Sequence, residues 1–573
     1  MIDSMWLIPF AAAVWFVAKY SVDVPYMDQW GLPSLFDNAA AGRPVLPGLL
    51  TCNNEHPVLF PKLIFLALAF TTRWNTRVEM AVTLLSALAM FTAIARLAAA
   101  EERDGVTWTT AISLFVASLL VFSFVHYDDW LWGWQLMFVL ANTCAVLAVY
   151  LISNSIQHPL RGQILAWTCC LVASFSALYG LLSWLVIIPA QLSRGRNKRR
   201  AAAAAIGSVL LLSVAIAVYF LLLERPAVPL SGRSFFLART SDRRAGIPVR
   251  AGGRSAGPRK SDIACDVGSI SGLCIDRAVR GLRGVVDPGK PVSLRCPVDR
   301  DRFVRPGIRR DEHARAFRLG VGVAASQSRY MGASALVAVA TLELCRQVMV
   351  KRRAIFIAIA GAIAALSVAG SIASIPVARA LKRERTRASA CLEVERYIDP
   401  ATDKYEQSCL FPLFPLVPFT GRIRGGAEKL DALGFRKIVR HVAFIENPTK
   451  PYGTFELSTK DGEPPTVRDG EAVEARGWAS VPGGDRPARI VLVSVGDARV
   501  FITAAWVKAH ARRDRTQARQ PDQVAQPRWS VSIPAVFLPA GESVLKAWVY
   551  DSEEQEFVRL GDLKGENRVY KVP

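Results

Sequence analysis

Between Met5 and Ala378 the chain runs apolar, again and again, for about the width of a bilayer. A hydrocarbon core about 30 Å thick needs roughly 20 apolar residues at helical rise. Runs of this kind are read near 4–19, 78–99, 107–125, 132–153, 162–178, 179–192, 201–223, 331–349 and 354–378. By length alone, 573 residues could make several soluble domains, but a soluble core has no use for these stretches. The net charge of +22 does not point to nucleic acid either. Lys and Arg sit in short clusters between apolar runs, and no nucleic-acid module surrounds them. The fold class that follows is a polytopic α-helical membrane bundle of about nine spans, with a soluble part after it.

Sidedness follows from the basic clusters, which collect on the cytoplasmic face. Arg194, Arg196, Lys198, Arg199 and Arg200, and then Arg346, Lys351, Arg352 and Arg353, are placed inside. Counting from them puts the long loop 20–77, the segment His126–Trp134 and everything after 378 outside. The apolar run Pro57–Thr72 is read as an interfacial or re-entrant helix, because counting it as a span would invert every later loop. The first run has no basic flank and no small-residue cleavage site, so a cleaved signal peptide is not expected.

The domains expected are a membrane bundle at 1–232, an anomalous basic segment at 233–318, membrane helices at 319–384, an extracytoplasmic connector at 385–452 and a β-domain at 453–573. The anomalous segment holds 18 Arg and 2 Lys against 9 acidic residues, half of the chain's net charge, and no Trp, Tyr, Asn, Gln or Met. Without any strand or helix period it reads as a disordered basic loop, or as out-of-frame translation that replaces a pair of helices. The second reading is preferred, and translating the coding DNA in its other two frames tests it. From Gly453 onward, short β-branched and aromatic runs between Gly, Pro and Asp turns fit a small β-sandwich. Trp478 and Trp529 are read as its core aromatics, with sugar stacking as the alternative. Cys391 and Cys409, eighteen apart on the outer side, are a candidate disulfide.

Four polar constellations fall on the outer side at membrane boundaries: Asp28 in YMDQW, Glu55–His56 in CNNEHP, Asp128–Asp129 in HYDDWLWGWQ and Arg329–Tyr330 in SQSRYMG. Ionisable residues at such depth are costly unless they face water, a partner or a ligand. Together they resemble the lining of an outward-facing cavity. Asp28, bracketed by Tyr26, Met27 and Trp30, could act as a general base or stand as a solvated interfacial aspartate. Glu55 and His56 could supply a second acid/base pair or a metal ligand, although adjacent positions are not a chelating spacing; a loop cap or an ion pair with Lys62 is the plainer reading. Asp128 and Asp129 are accounted for by the helix dipole, and Trp132 and Trp134 by the interfacial belt, yet aromatic rings beside carboxylates also suit a sugar site. Arg329 could bind phosphate bidentately, with Tyr330 as a further donor, or could snorkel to lipid headgroups.

The order of these motifs resembles the GT-C class of membrane glycosyltransferases. The likeness is closest to bacterial multi-spanning proteins with a DxW, NEH, WGxQ and SRY series. Here the series reads Asp28-Gln29-Trp30, Asn54-Glu55-His56, Trp132-Gly133-Trp134-Gln135 and Ser328-Arg329-Tyr330, and it covers about 1–380 apart from the basic segment. The resemblance implies an inverting transferase of the bacterial inner membrane that takes sugar from a polyprenyl-phosphate donor to an extracytoplasmic glycan or lipid acceptor. It gives Asp28 the base role and Arg329 the donor phosphate, with Asp128 or Asp129 orienting the acceptor or a divalent ion. Glu55, His56, Trp132, Trp134, Gln135 and Tyr330 would contact substrate. The spans that such a bundle supplies between 223 and 331 are absent here. A flippase for lipid-linked sugars and a scaffold that presents the β-domain are the competing readings.

Overall fold

The apolar runs are helices in the computed structural model, which describes residues 5–53, 56–100, 102, 107–154, 158–194, 198–222, 331–415, 420–458, 463–481, 488–508, 527–562 and 565–572. The basic segment 233–318, Glu55, Arg329 and Tyr330 lie outside the described residues. In chain order the helices are α1 (Leu7–Tyr20), α2 (Pro33–Ala40), α3 (Leu46–Leu50), α4 (Leu59–Thr72), α5 (Thr76–Ala100), α6 (Trp108–Val121), α7 (Tyr127–Leu131), α8 (Leu136–Asn154), α9 (Pro159–Ser174), α10 (Ser183–Arg194), α11 (Lys198–Leu222), α12 (Met331–Val348), α13 (Arg353–Glu393) and α14 (Thr420–Ala432).

Among the described residues, five helical stretches are long and apolar enough to cross a bilayer: Thr76–Ala100, Trp108–Leu131, Gly133–Asn154, Lys198–Leu222 and Arg353–Glu393. These five fall among the nine runs read from sequence; the remaining runs form shorter or more polar helices. Helix α1 has 14 residues, ~21 Å at helical rise, and α9 has 16, ~24 Å, both short of the hydrocarbon core. Helix α4 also has 14 residues, too few to cross on its own. Helix α12 is long enough but carries Glu343 and Arg346. Arg346 pairs with Glu343 at 2.8 Å and with Glu102 at 2.5 Å, and Ser113 donates to Glu343 at 2.6 Å. Only 17% of the apolar window is buried in α11, and the same share in α13. Leu210, Phe220, Leu366 and Ile372 are left bare on them, surface that water does not stabilise.

Helix α13 runs on to Glu393, past the boundary at 385 that composition suggested, and its 41 residues make a rod of ~60 Å. Its last turn carries Cys391, which forms a disulfide with Cys409 across a Cα–Cα distance of 6.0 Å. Closing an 18-residue loop is worth about 3 kcal/mol through the unfolded chain. In the denatured full-length protein, two thiols should therefore become reactive to maleimide only after reduction, and Cys391→Ser should abolish that difference. Equal labelling with and without reductant would show the bond absent.

The β-domain begins earlier than expected, at β1 (Ala443–Ile445). It continues through β2 (Thr454–Leu457), β3 (Thr466–Val467), β4 (Ala472–Trp478), β5 (Ile490–Val495), β6 (Phe501–Lys508), β7 (Arg528–Pro534), β8 (Gly541–Asp551), β9 (Glu556–Arg559), β10 (Gly561–Asp562) and β11 (Arg568–Lys571). The expected sandwich of two sheets is corrected. The strands form one hydrogen-bonded half-barrel in the order β1-β9-β8-β5-β6-β7-β4-β2-β10, with β11 joining β8 to β3. Strand β4 alternates exposed and buried residues, as one-sided burial requires. Strand β5 is apolar apart from Ser494, which accepts from Trp548 Nε1 at 2.9 Å, because both its faces are covered. Val491 and Val493 pack with Phe455 and Trp529, which makes Trp529 a core residue, whereas Ile490 and Leu492 join Phe501, Trp548 and Phe557.

That second cluster continues into the helical part, through Leu392, Ile398 and Leu430 to Trp30, Phe36 and Trp74. Arg436 fastens the junction. Its Nη1 and Nη2 reach the Asp23 carboxylate at 2.8 and 2.6 Å, and Nη2 also donates to the Trp74 carbonyl at 3.0 Å. Burial raises the Asp23 carboxyl, but Arg436 and two bonds from Thr76 outweigh it and hold the group below its ordinary range. Arg436→Ala should cost ~1–3 kcal/mol in thermal or denaturant unfolding. The Asp23 contribution should be present above the ordinary carboxylate range and fade as pH falls from that range through the group's lowered value. A variant whose acid sensitivity equals wild type would count against this tie.

Candidate functional site

The segment after α1 is shaped by a few specific bonds. Met27–Gly31 makes a short 3₁₀ turn, and the Gln29 side chain accepts from the Tyr26 amide at 3.1 Å. Gln29 Nε2 then donates to Glu79 Oε2 at 2.5 Å, and Trp74 Nε1 donates to Glu79 Oε1 at 2.7 Å. Met27 is held at φ +52°, a conformation that side-chain-bearing residues seldom adopt and that clusters at functional positions. Asp28 follows it directly.

The WGWQ motif locks onto this turn. Trp132 Nε1 donates to the Tyr26 carbonyl at 3.0 Å, and the two rings meet edge-on at 5.3 Å. Gly133 lies against Glu79, where a Cβ would come within 2.2 Å of Oε2. On the other side the Arg385 guanidinium covers the Tyr26 ring at 4.0 Å and donates to the Leu131 carbonyl. Two motifs a hundred residues apart in the chain are thus one interlocked unit.

Asp28 opens on a cavity of about 520 Å³, within the range of small-molecule sites. Trp30, Asn53 and Trp134 share its wall with Ser34 and Asn38 of α2 and with Lys62 of α4. Helix α14 closes the far side with Gly421, Arg422, Gly425, Gly426 and Lys429. Their three- and four-residue spacing puts them on one helix face. At Gly421 and Gly425 an added Cβ would meet nothing within 4 Å, so the helix backbone itself is the wall there. Lys429 Nζ ties α14 to α2 by donating to Ser34 Oγ at 2.8 Å. Lys62 is 7% exposed, and its Nζ donates to the carbonyls of Gly48 at 2.9 Å and Thr51 at 2.6 Å. Burial pushes its ammonium down to about 8.

The polar constellations do not all meet in this cavity, which corrects the single pocket expected from sidedness. Asp28, Asn53 and Trp134 do meet there. Asp129 lines a separate niche of about 20 Å³ with Asn142 and Gly332, its Oδ2 3.6 Å from His126 Nδ1. Asp128 is buried outside that niche, close enough to Tyr26 to act on it electrostatically. Among the described residues no three His, Cys, Asp or Glu side chains gather as a metal group. His56 accepts from the Leu178 amide at 3.1 Å and sets its ring edge-on to Phe138, so it braces the loop against α8 and the turn after α9. Trp132 is a latch and Gln135 is buried.

Sequence reasoning missed Glu79, Arg385, Arg422 and Lys429. Lys62 did carry a signal, as the single charge within LFPKLIFLALAFTT. No protein-family model, curated protein or solved structure matches this chain.

Proposed function

We propose that the protein is a membrane glycosyltransferase of the GT-C kind, with Asp28 as its general base. The observation that carries this reading is the position of Asp28: a carboxylate in the first loop, fixed by a strained turn, at the wall of a ligand-sized cavity that also holds Trp134 and two asparagines. Indole faces and amides are what sugars use for stacking and hydroxyl bonding. In the transfer, Asp28 takes the proton of an acceptor hydroxyl. The freed oxygen pair attacks the anomeric carbon, the bond from that carbon to the phosphate oxygen breaks, and polyprenyl phosphate leaves with inverted configuration at the sugar. The Asp28 proton then passes to solvent.

The disulfide supports an extracytoplasmic C-terminal domain, since such bonds persist in oxidising compartments. Membranes containing the protein should move labelled sugar from a polyprenyl-phosphate donor into an acceptor fraction, and Asp28→Asn membranes should not. Transfer equal to that of membranes lacking the protein would overturn the reading.

A further inference from the structure

We infer that Lys62, Arg422 and Lys429 form a binding site for a phosphate-class anion, built jointly by the first outer loop and the C-terminal helix α14. The inference deepens the transferase reading and rests on it for the kind of substrate. The evidence begins with Lys62. Its ammonium sits at 7% exposure with two of its three donors on backbone carbonyls. Among the described residues no carboxylate acts on it; Cys52 is the one titratable neighbour that does. A buried ammonium held only by backbone carbonyls is costly, and an anion that joins them relieves the cost.

Two further cations face the same space from α14, while Arg424 of that helix turns away to hold Asp403 and Glu395 at 2.6 and 3.1 Å. Among the described residues the charged lining of the cavity is therefore three cations and the carboxylate of Asp28. A phosphate brings up to two charges and several acceptor oxygens, matching that surplus better than a lone carboxylate would. Gly421 and Gly425 leave the approach to these cations open, while Gly426 packs against Trp30. The C-terminal part is then a wall of the site and not an appended module.

The chemistry fits a lipid-linked phosphate or a soluble one, and two probes separate them. Thermal unfolding of the purified full-length protein is followed with inorganic phosphate, and then in phosphatidylcholine vesicles with or without polyprenyl phosphate. Stabilisation by either probe supports the site, and the effective probe names the source. Arg422→Gln and Lys429→Gln, which alter an exposed and a half-buried side chain, should each weaken binding about tenfold, and Lys62→Met should remove it. No stabilisation by either probe, or binding undiminished in the two α14 variants, overturns the proposal, whatever the folding of Lys62→Met. Asp28→Asn should still bind phosphate. Wild-type protein that binds phosphate but transfers no sugar would sink the transferase reading and leave the anion site standing.

Discussion

Asp28→Asn is expected to lower sugar transfer by about 10²–10⁴-fold while leaving the protein folded and able to bind phosphate. The substitution keeps shape and hydrogen-bonding capacity but removes the basic oxygen. The turn that carries Asp28 is held by other groups: Gln29 and Trp74 on Glu79, and Trp132 on the Tyr26 carbonyl. Its geometry should therefore survive, and the loss should appear in kcat with little change in KM for the donor. A loss confined to KM would make Asp28 a binding residue, and unchanged turnover would remove it from the chemistry.

Gly133→Ala should cost the protein much of its stability. The new methyl would lie 2.2 Å from Glu79 Oε2 and 2.7 Å from Glu79 Cβ. Glu79 cannot retreat, because it is fully buried and bound through both oxygens. Overpacking at such a point costs ~2–4 kcal/mol, and transfer should fall with it because Glu79 anchors Gln29, next to Asp28. Gly361→Ala is the control, since nothing lies within 4 Å of a methyl there. Equal unfolding midpoints for the two variants would show that the Gly133–Glu79 contact is looser than described.

The helices were legible wherever apolar runs were long, and α5, α8 and α11 match the runs near 78–99, 132–153 and 201–223 to within a few residues. The shorter runs are helices too, but hydropathy alone does not separate a helix that crosses a bilayer from one packed beside it. The half-barrel was not legible, since single strands look alike in an open sandwich and in one continuous curled sheet. Asp28 stood out in the sequence as an acid among aromatics. Glu79 did not: its meaning comes from Gln29, Trp74 and Gly133, fifty residues before it, five before it and fifty-four after it. Arg422 and Lys429 could not be read at all, because a polar helix signals solvent until tertiary structure shows what it faces.

The apolar seam that joins Trp30 and Trp74 to Trp548 and Phe557 has a consequence for inheritance. A gene fusion that swapped either half for a foreign counterpart would strip aromatic surface on both sides of the cut. The two halves must therefore change in step, and kin of this chain should keep or lose them as a pair.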